Sequence, residues 1–417
     1  MKRQSERVAR LMEVYGLLTP VLTLVPFGYG YGMPHLLFPL TLTVLLSGLW
    51  LIGSRPSAVS MVLPLVLIVL IGTFGAISTG TPARLLGGVS IAVVVSPALL
   101  PFAASTEASQ RILSRFRSKY VLGLSISCLI GILLAIAQVE IRDGQQTLFL
   151  GDGSGLVLRA GGLVGNSGGF GAASAALVVL TLITPLAQRR RLPRSEVFGA
   201  IAGLAGLVLS SNRAALVAVA AAAFFALCLR PIAARVLLIR MSALLVVGAF
   251  AALSSAAITR QIAVTLVRFD VLNLTGSSAF LQSSRRETWP VVLDRIGDSP
   301  VTGTALQDLS LSKPIDNVFL SVTAEWGLVV SFFAAVWLLG AALSLFYVRG
   351  DSAGFGGLVM LVCLVVLGAF LDIQRSWFVL PPLLLFITAS QNAGMENVRR
   401  GPTLASGGFA SRQGVSV

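Results

Sequence analysis

Apolar runs long enough to cross a lipid bilayer recur along the whole chain, and they limit its possible folds more than any other feature. A membrane-spanning α-helix needs about 20 predominantly apolar residues. Of the 417 residues, 55% are hydrophobic and only 12% are charged, which is too little polar surface for a soluble domain. The pattern predicts an all-α fold, a polytopic transmembrane helical bundle of about 12 spans.

The predicted spans form one integral membrane domain, residues 1–391, with one large extracytoplasmic loop at residues 258–317 between spans 9 and 10. Residues 392–417 are predicted to be a disordered cytoplasmic tail. A basic start followed by an apolar run resembles a signal peptide, but no small-residue cleavage site follows, so we expect an uncleaved first span. The predicted spans are Leu11–Tyr29, Leu36–Gly53, Ala58–Ile77, Leu85–Phe102, Tyr120–Ile136, Gly161–Leu186, Val197–Leu209, Ala214–Leu229, Met241–Ala257, Val318–Tyr347, Phe355–Phe370 and Trp377–Ala389.

The basic residues are concentrated on one side of this predicted topology. With the N-terminus inside, the short loops that alternate along the chain carry most of the lysines and arginines, as cytoplasmic loops do. Both termini are therefore predicted to be cytoplasmic. The formal net charge of +14 reflects this bias and does not indicate nucleic-acid binding.

Several kinds of site are excluded or disfavoured by residue type. The three cysteines, Cys128, Cys228 and Cys363, fall in predicted spans, which argues against disulfides and a metal cluster. The single histidine, His35, excludes a site built from several histidines. The glycine-rich stretches lack a following Gly-Lys-Ser/Thr, which argues against a phosphate-binding loop. We expect neither a metal nor a cofactor.

The region from about Thr259 to Asn317 is the only long polar segment. Its basic and acidic residues balance, so we interpret it as a folded cap with internal ion pairs rather than a basic lipid-binding tail. These residues are Arg260, Arg268, Arg285, Arg286, Arg295 and Lys313, with Asp270, Glu287, Asp294, Asp298, Asp308 and Asp316. The chemistry of the protein is expected in this loop.

Arg213 follows Ser210, Ser211 and Asn212 between two apolar runs that almost no loop separates. An arginine near hydrocarbon usually faces a polar cavity or a partner, and its planar fork suits two-point binding of phosphate. The alternative is a turn residue whose side chain reaches the outer headgroups.

Arg285 and Arg286 precede four apolar residues at helical spacing, Trp289, Val292, Leu293 and Ile296. We predict a short helix with one face on the membrane surface and the arginines near its N-terminus, where backbone N–H groups also favour anions. Ser284 and Glu287 have the spacing of a capping box, although Pro290 allows a later start. The alternative for the arginines is a solvated charged helix end.

Asp316 and Asn317 end the polar segment, and Glu325 follows within the next apolar run. A carboxylate at the membrane boundary can act as a general base if desolvation raises its pKa. The alternative is a helix cap, because Asp and Asn are favoured N-cap residues. Both roles are compatible.

These motifs in this order resemble the O-antigen ligase and O-antigen polymerase (polysaccharide polymerase) superfamily of bacterial membrane glycosyltransferases, over roughly residues 161–347. The matching segments are a glycine–asparagine turn at Gly165–Ser167, a serine–arginine turn at Ser210–Leu216, Arg285 or Arg286 with Trp289, a proline–glycine step at Pro300–Gly303, Asp316 with Asn317, and a Glu-x-Gly at Glu325–Gly327. Ligases of this family carry a histidine where this chain has Asp316, which weakens the ligase interpretation.

The resemblance implies a metal-independent transferase that acts on a glycan carried by undecaprenyl pyrophosphate, in the bacterial cytoplasmic (inner) membrane. Arg213 with Arg285 or Arg286 would neutralise the leaving pyrophosphate, and Asp316 would accept the proton of the acceptor glycan. Asn317, Trp289, Glu325 and Ser211 would bind substrate. Membrane lipids and other polysaccharide-assembly proteins are the expected partners.

Three functions remain open from the sequence. The leading hypothesis is a repeat-unit polymerase, and the second is a ligase that transfers the finished glycan to a lipid or protein acceptor. The third, from another class, is a transporter of a lipid-linked sugar or small anion. Coupled transporters usually carry ionisable residues at mid-membrane and internal repeats, and this chain has nearly uncharged spans and no evident repeat.

Overall fold

The structure, a computed structural model, describes residues 2–22, 106–137, 147–149, 156–158, 160, 167–188, 192–210, 212–230, 284–304, 315, 317–371 and 380–399. The described residues form a bundle of α-helices and one short antiparallel pair of strands. The predicted helical class is confirmed. Four predicted spans, Leu36–Gly53, Ala58–Ile77, Leu85–Phe102 and Met241–Ala257, lie outside the described residues, so the number of spans stays a prediction.

The helices are α1 (Lys2–Leu22), α2 (Thr106–Ile136), α3 (Ser167–Val178), a π-helical turn (Val179–Ile183), α4 (Thr184–Ala187), α5 (Arg194–Ser210), α6 (Arg213–Leu229), α7 (Ser284–Asp298), α8 (Val318–Tyr347), α9 (Ser352–Phe370) and α10 (Leu380–Arg399). Strands β1 (Thr147–Phe149) and β2 (Leu156–Leu158) were not predicted from the sequence; they pair antiparallel with Leu148 opposite Val157. Within the described ranges, four stretches are long and apolar enough to cross a membrane, and they indicate a membrane protein: Gln110–Ile136, Gly168–Ala187, Val318–Tyr347 and Ser352–Phe370.

The first two helices run parallel and pack closely together. Glu6 Oε1 lies 2.7 Å from Arg115 Nη2, and Glu13 Oε1 lies 3.5 Å from Lys119 Nζ. The hydrogen bond and charge of Arg115 hold the pKa of Glu6 below its usual value. The N-terminal parts of both helices carry these charged residues. Both helices therefore begin earlier than the apolar runs predicted, because hydropathy does not detect a helix that extends beyond the bilayer.

Small residues let the central helices approach closely. Gly199, Gly203 and Gly206 lie along one side of α5 and face α3 and the π-helical turn. A Cβ at Gly203 would lie 2.9 Å from a side-chain carbon of Val178, and one at Gly206 would overlap Ser174 Oγ. Residues later in α5 contact residues earlier in α3, so these helices are antiparallel. Close approach through small residues is typical of helices packed inside membranes.

A buried ion pair joins α2, the π-helical turn and α5. Arg117 Nη1 lies 2.8 Å from Glu196 Oε1, and Arg117 Nη2 donates to the carbonyl of Leu180 at 2.7 Å. A π-helical turn disturbs the regular i to i−4 ladder, so its carbonyls need other donors. Arg117 supplies one.

Because of the directions in which the helices run, several basic residues lie at one end of the described bundle. At this end Arg230, which caps α6, donates to the carbonyls of Arg349 and Gly350 in the turn between α8 and α9. Gln188, at the end of α4, donates to the carbonyl of Ser352 at the start of α9. The N-termini of α6 and α8 therefore lie at the opposite end.

The C-terminal helix is longer than expected. α10 continues to Arg399, whereas the sequence predicts disorder from residue 392. This part of the tail prediction is wrong for residues 392–399. Its small and polar residues are compatible with helix, and the buried residues Ala393 and Gly394 pack inside the bundle, Gly394 against Val348.

Candidate functional site

Helix α8 is broken at Gly327, and the turn that follows α7 fits into the break. In an uninterrupted helix, Leu328 N–H would donate to the carbonyl of Ala324. Here Leu328 N donates to the carbonyl of Pro300 at 2.7 Å, and Ala324 O accepts from Thr304 N at 2.6 Å. One bond within the helix is thus replaced by two bonds to the segment 300–304. We call residues 300–304 and 324–328 together the clamp.

Two glycines make the clamp possible. Gly303 and Gly327 have φ angles of 69° and 79°, a region that glycine enters at little cost. A Cβ on Gly303 would lie 2.6 Å from the carbonyl carbon and oxygen of Glu325, and a Cβ on Gly327 would overlap the carbonyl of Val301. Backbone therefore approaches backbone at both positions.

Two hydroxyl groups connect the halves of α8 across the break. Ser331 Oγ donates to the carbonyl of Gly327 at 3.0 Å and lies 2.8 Å from Thr323 Oγ1. Thr323 Oγ1 in turn donates to the carbonyl of Phe319 at 2.8 Å. The break is thus a hydrogen-bonded feature rather than a gap in the helix.

The break divides α8 into a short first part and a long second part. α8 has 30 residues, so it is about 45 Å long, whereas the hydrocarbon core is about 30 Å thick. The part after Gly327 has about 20 residues, which is the length needed to cross. The part before it, with Glu325 and Trp326, would then lie at the headgroup level.

Helix α7 lies against the first part of α8. Val292 is fully buried with Ile315 and Ala324, and Ile296 and Leu320 flank them. The expectation that this apolar face lies on the membrane surface is wrong for Val292, because protein covers it.

α7 begins at Ser284 and contains Pro290 inside the helix. The predicted arginines Arg285 and Arg286 belong to its first turn, and their side chains, like that of Glu287, lie outside the described residues.

Asn317 joins the N-terminus of α8 to the C-terminus of α9. Its Oδ1 accepts from Leu320 N at 3.0 Å, and its Nδ2 donates to the carbonyl of Ala369 at 3.0 Å. The predicted helix cap is therefore confirmed for Asn317. Its side chain makes both of these contacts. The preceding predicted residue, Asp316, lies outside the described residues.

Arg213 is the first residue of α6, next to the buried cap Asn212. Asn212 Oδ1 accepts from Ala215 N at 3.2 Å, and Nδ2 donates to the carbonyl of Gly168 at 3.4 Å. The Arg213 side chain is exposed. Ser211 lies outside the described residues. Helix α9 packs against both α6 and α8, so Arg213 and Asn317 lie at the same end of the bundle on either side of α9.

The structure thus brings some predicted residues together and leaves others apart. Glu325 lies within the clamp and is half-buried, and Trp289 is half-buried on the adjoining helix α7. Arg213 belongs to a separate helix at the same end. Trp326, 6% exposed, lies within the predicted Glu-x-Gly motif but was not predicted as a site residue.

Within the described part of the chain, no three His, Cys, Asp or Glu side chains come together in a way that could hold a metal ion. No protein-family model matches the chain, and no curated protein matches it.

Proposed function

We propose that the protein is a membrane glycosyltransferase that polymerises undecaprenyl-pyrophosphate-linked repeat units at the outer face of the cytoplasmic membrane. The observation that carries the proposal is the clamp. Pro300–Gly303 and Glu325–Gly327 were singled out as two separate motifs of one family, and their backbones lie against each other at Gly303 and Gly327. Backbone hydrogen bonds from Leu328 to Pro300 and from Thr304 to Ala324 flank this contact. Contact in space between two motifs of one family supports the resemblance to that family.

The proposed reaction needs an attacking hydroxyl, a base and a stabilised leaving group. The acceptor hydroxyl oxygen attacks the anomeric carbon of the donor sugar, and the bond from this carbon to the phosphate oxygen breaks. Asp316 takes the hydroxyl proton, and undecaprenyl pyrophosphate leaves with the bonding electrons. Arg213 and Arg285 or Arg286 neutralise its charge, the kind of preorganised electrostatic effect that often dominates catalysis.

The remaining predicted residues bind and orient the glycan in this proposal. Asn317 lies next to Asp316 in the chain and, with Glu325, Trp289 and Ser211, binds the glycan. No resident metal takes part. The end of the bundle that carries Arg230 and Arg349 faces the cytoplasm, in keeping with the positive-inside rule, and the clamp faces outward.

Deleting the gene tests this function. The surface glycans and the undecaprenyl-linked pool of the deletion strain are run side by side on gels. We expect single repeat units in place of a ladder. A full-length ladder stranded on the lipid carrier would instead identify a ligase, and unchanged pools would overturn both enzyme hypotheses.

Complementation then tests the residues. Arg213→Ala and Asp316→Ala are each expected to lower ladder formation about a hundredfold, the loss typical of removing one group that stabilises charge in the transition state. Arg295→Ala is a matched control because it removes an arginine from the same polar segment, on the exposed last turn of α7. It should restore the full ladder.

A further inference from the structure

Trp326 is a buried hydrogen-bond donor at the break in α8. Its side chain is 6% exposed, and its indole Nε1 has no acceptor among the described residues. Most buried polar groups in proteins are hydrogen-bonded, and a donor left without an acceptor costs stability. A group kept in this state therefore calls for an explanation in terms of function.

Trp326 differs from the buried hydroxyl groups of Thr184 and Ser390, which also have no hydrogen-bond partner in the described part. Thr184 and Ser390 carry hydroxyls, which rotate and can turn toward a carbonyl of their own helix. They also pack against Gly356 and Gly357, near the basic end of the bundle. An indole N–H is a donor only and is fixed in the plane of its ring, so it cannot rotate toward a carbonyl as a hydroxyl can.

The clamp holds the backbone of Trp326 in place from both sides. The residue before it contacts Gly303, and the residue after it, Gly327, contacts Val301. Ala324 and Leu328 make the two clamp hydrogen bonds. A donor held on such a rigid backbone is preorganised, and preorganisation lowers the cost of ordering when a ligand binds.

The neighbouring residue indicates the class of ligand. Glu325 offers only acceptors when ionised, and Trp326 offers only a donor. A sugar hydroxyl is uncharged, and its oxygen can accept from the indole N–H. A phosphoryl group only accepts, and the carboxylate of Glu325 would repel it.

We propose that Trp326 is a specificity-determining residue whose indole N–H donates to an oxygen of the bound glycan. This inference rests on the proposed function, because the glycan is that of the lipid-linked repeat unit. It adds a direct sugar contact at the membrane end of the site.

The test uses the purified full-length chain in lipid nanodiscs, with lipid-linked single repeat units extracted from the deletion strain as substrate. Trp326→Phe removes the N–H and keeps an aromatic ring. We expect the KM for the repeat unit to rise roughly three- to tenfold, the loss of one neutral hydrogen bond, with little change in kcat. The thermal midpoint without substrate should fall by no more than the cost of the cavity that the smaller ring leaves, because an unsatisfied donor has also been removed.

Trp337→Phe is the matched control, since it makes the same change in the same helix beyond the break. It should leave KM unchanged. If Trp326→Phe lowers the thermal midpoint by more than this cavity cost and lowers activity with it, or leaves KM at the wild-type value, the inference is wrong. Should that variant not fold, a benzothienyl analogue of tryptophan at position 326 keeps the bicyclic shape and replaces N–H by sulfur.

Two further results separate the possible failures. Inorganic pyrophosphate is expected to inhibit wild type and Trp326→Phe equally, and a weaker effect on the variant would assign the indole to phosphate and overturn the glycan contact. If the deletion strain accumulates no repeat units, the proposed function fails. If it does accumulate them and the variant polymerises normally, only the role of Trp326 fails.

Discussion

At the residue scale, the clamp depends on two glycines that no other residue can replace without strain. Gly303→Ala and Gly327→Ala place a Cβ against backbone at a positive φ, which costs about 1–2 kcal/mol for the conformation alone. We expect each variant to lower the thermal midpoint of the purified protein and to abolish the glycan ladder.

Two other glycines provide controls for this prediction. A Cβ on Gly297 of α7 or Gly340 of α8 would have nothing within 4 Å. Gly297→Ala and Gly340→Ala should therefore be neutral or stabilise their helices by up to about 1 kcal/mol. Equal midpoints for Gly327→Ala and Gly340→Ala would show that the clamp does not constrain the protein.

The residues of the site were predictable to different degrees. Asn317 was readable as a helix cap because its residue type and its place before an apolar run are both typical of an N-cap. Gly327 was noticed only as part of a motif. Its positive φ was not predictable, because glycine is common inside membrane helices and the apolar run continues through it. The buried state of Trp326 depends on tertiary packing, which local sequence does not encode.

At the element scale, the Arg117–Glu196 pair should hold three elements together. The side chains are 19% and 9% exposed, so removing one partner leaves a charge with little access to water. We expect Glu196→Ala to lower the free energy of unfolding by about 3 kcal/mol or more. The expected loss is larger than for an ordinary surface pair because the Arg117 guanidinium would lose its carboxylate partner at a site with little access to water.

Glu13→Ala is the matched control, because Glu13 and Lys119 lie 3.5 Å apart and are 31% and 38% exposed. Exposed pairs contribute about 1 kcal/mol or less. Denaturant titrations in detergent would measure both variants, with Arg117→Ala and the double variant completing a cycle. A coupling between Arg117 and Glu196 no greater than that of the exposed pair would contradict the argument.

Elements formed by simple periodicity were predictable, and those formed by local irregularity were not. The predicted bounds of α8 match the structure, and those of α6 differ by one residue. The π-helical turn leaves no trace in hydropathy, since its residues are as apolar as those around it. The break in α8 falls at Glu325, Trp326 and Gly327, a dip in hydropathy too short to end the predicted span. Strands β1 and β2 have three residues each, too few for an alternating pattern to stand out.

At the scale of the whole molecule, the directions of the helices predict which end of the bundle faces the outside of the cell. Gly297 lies at the end of α7 beside the clamp, and Gly350 lies in the turn after α8. The length of α8, about 45 Å, separates these ends. A cysteine at either position meets nothing within 4 Å, so Gly297→Cys and Gly350→Cys should both fold.

These two cysteines form a matched pair in a background where Cys128, Cys228 and Cys363 are replaced by alanine. A membrane-impermeant maleimide applied to intact cells should label Gly297→Cys. It should label Gly350→Cys only after the membrane is permeabilised, because the arginines near that turn are expected on the cytoplasmic side. Labelling of both from outside would mean that α8 does not cross the bilayer. The reverse pattern would turn the clamp toward the cytoplasm, where a lipid-linked glycan exported to the outer face could not reach it, and the proposed polymerase would then be untenable.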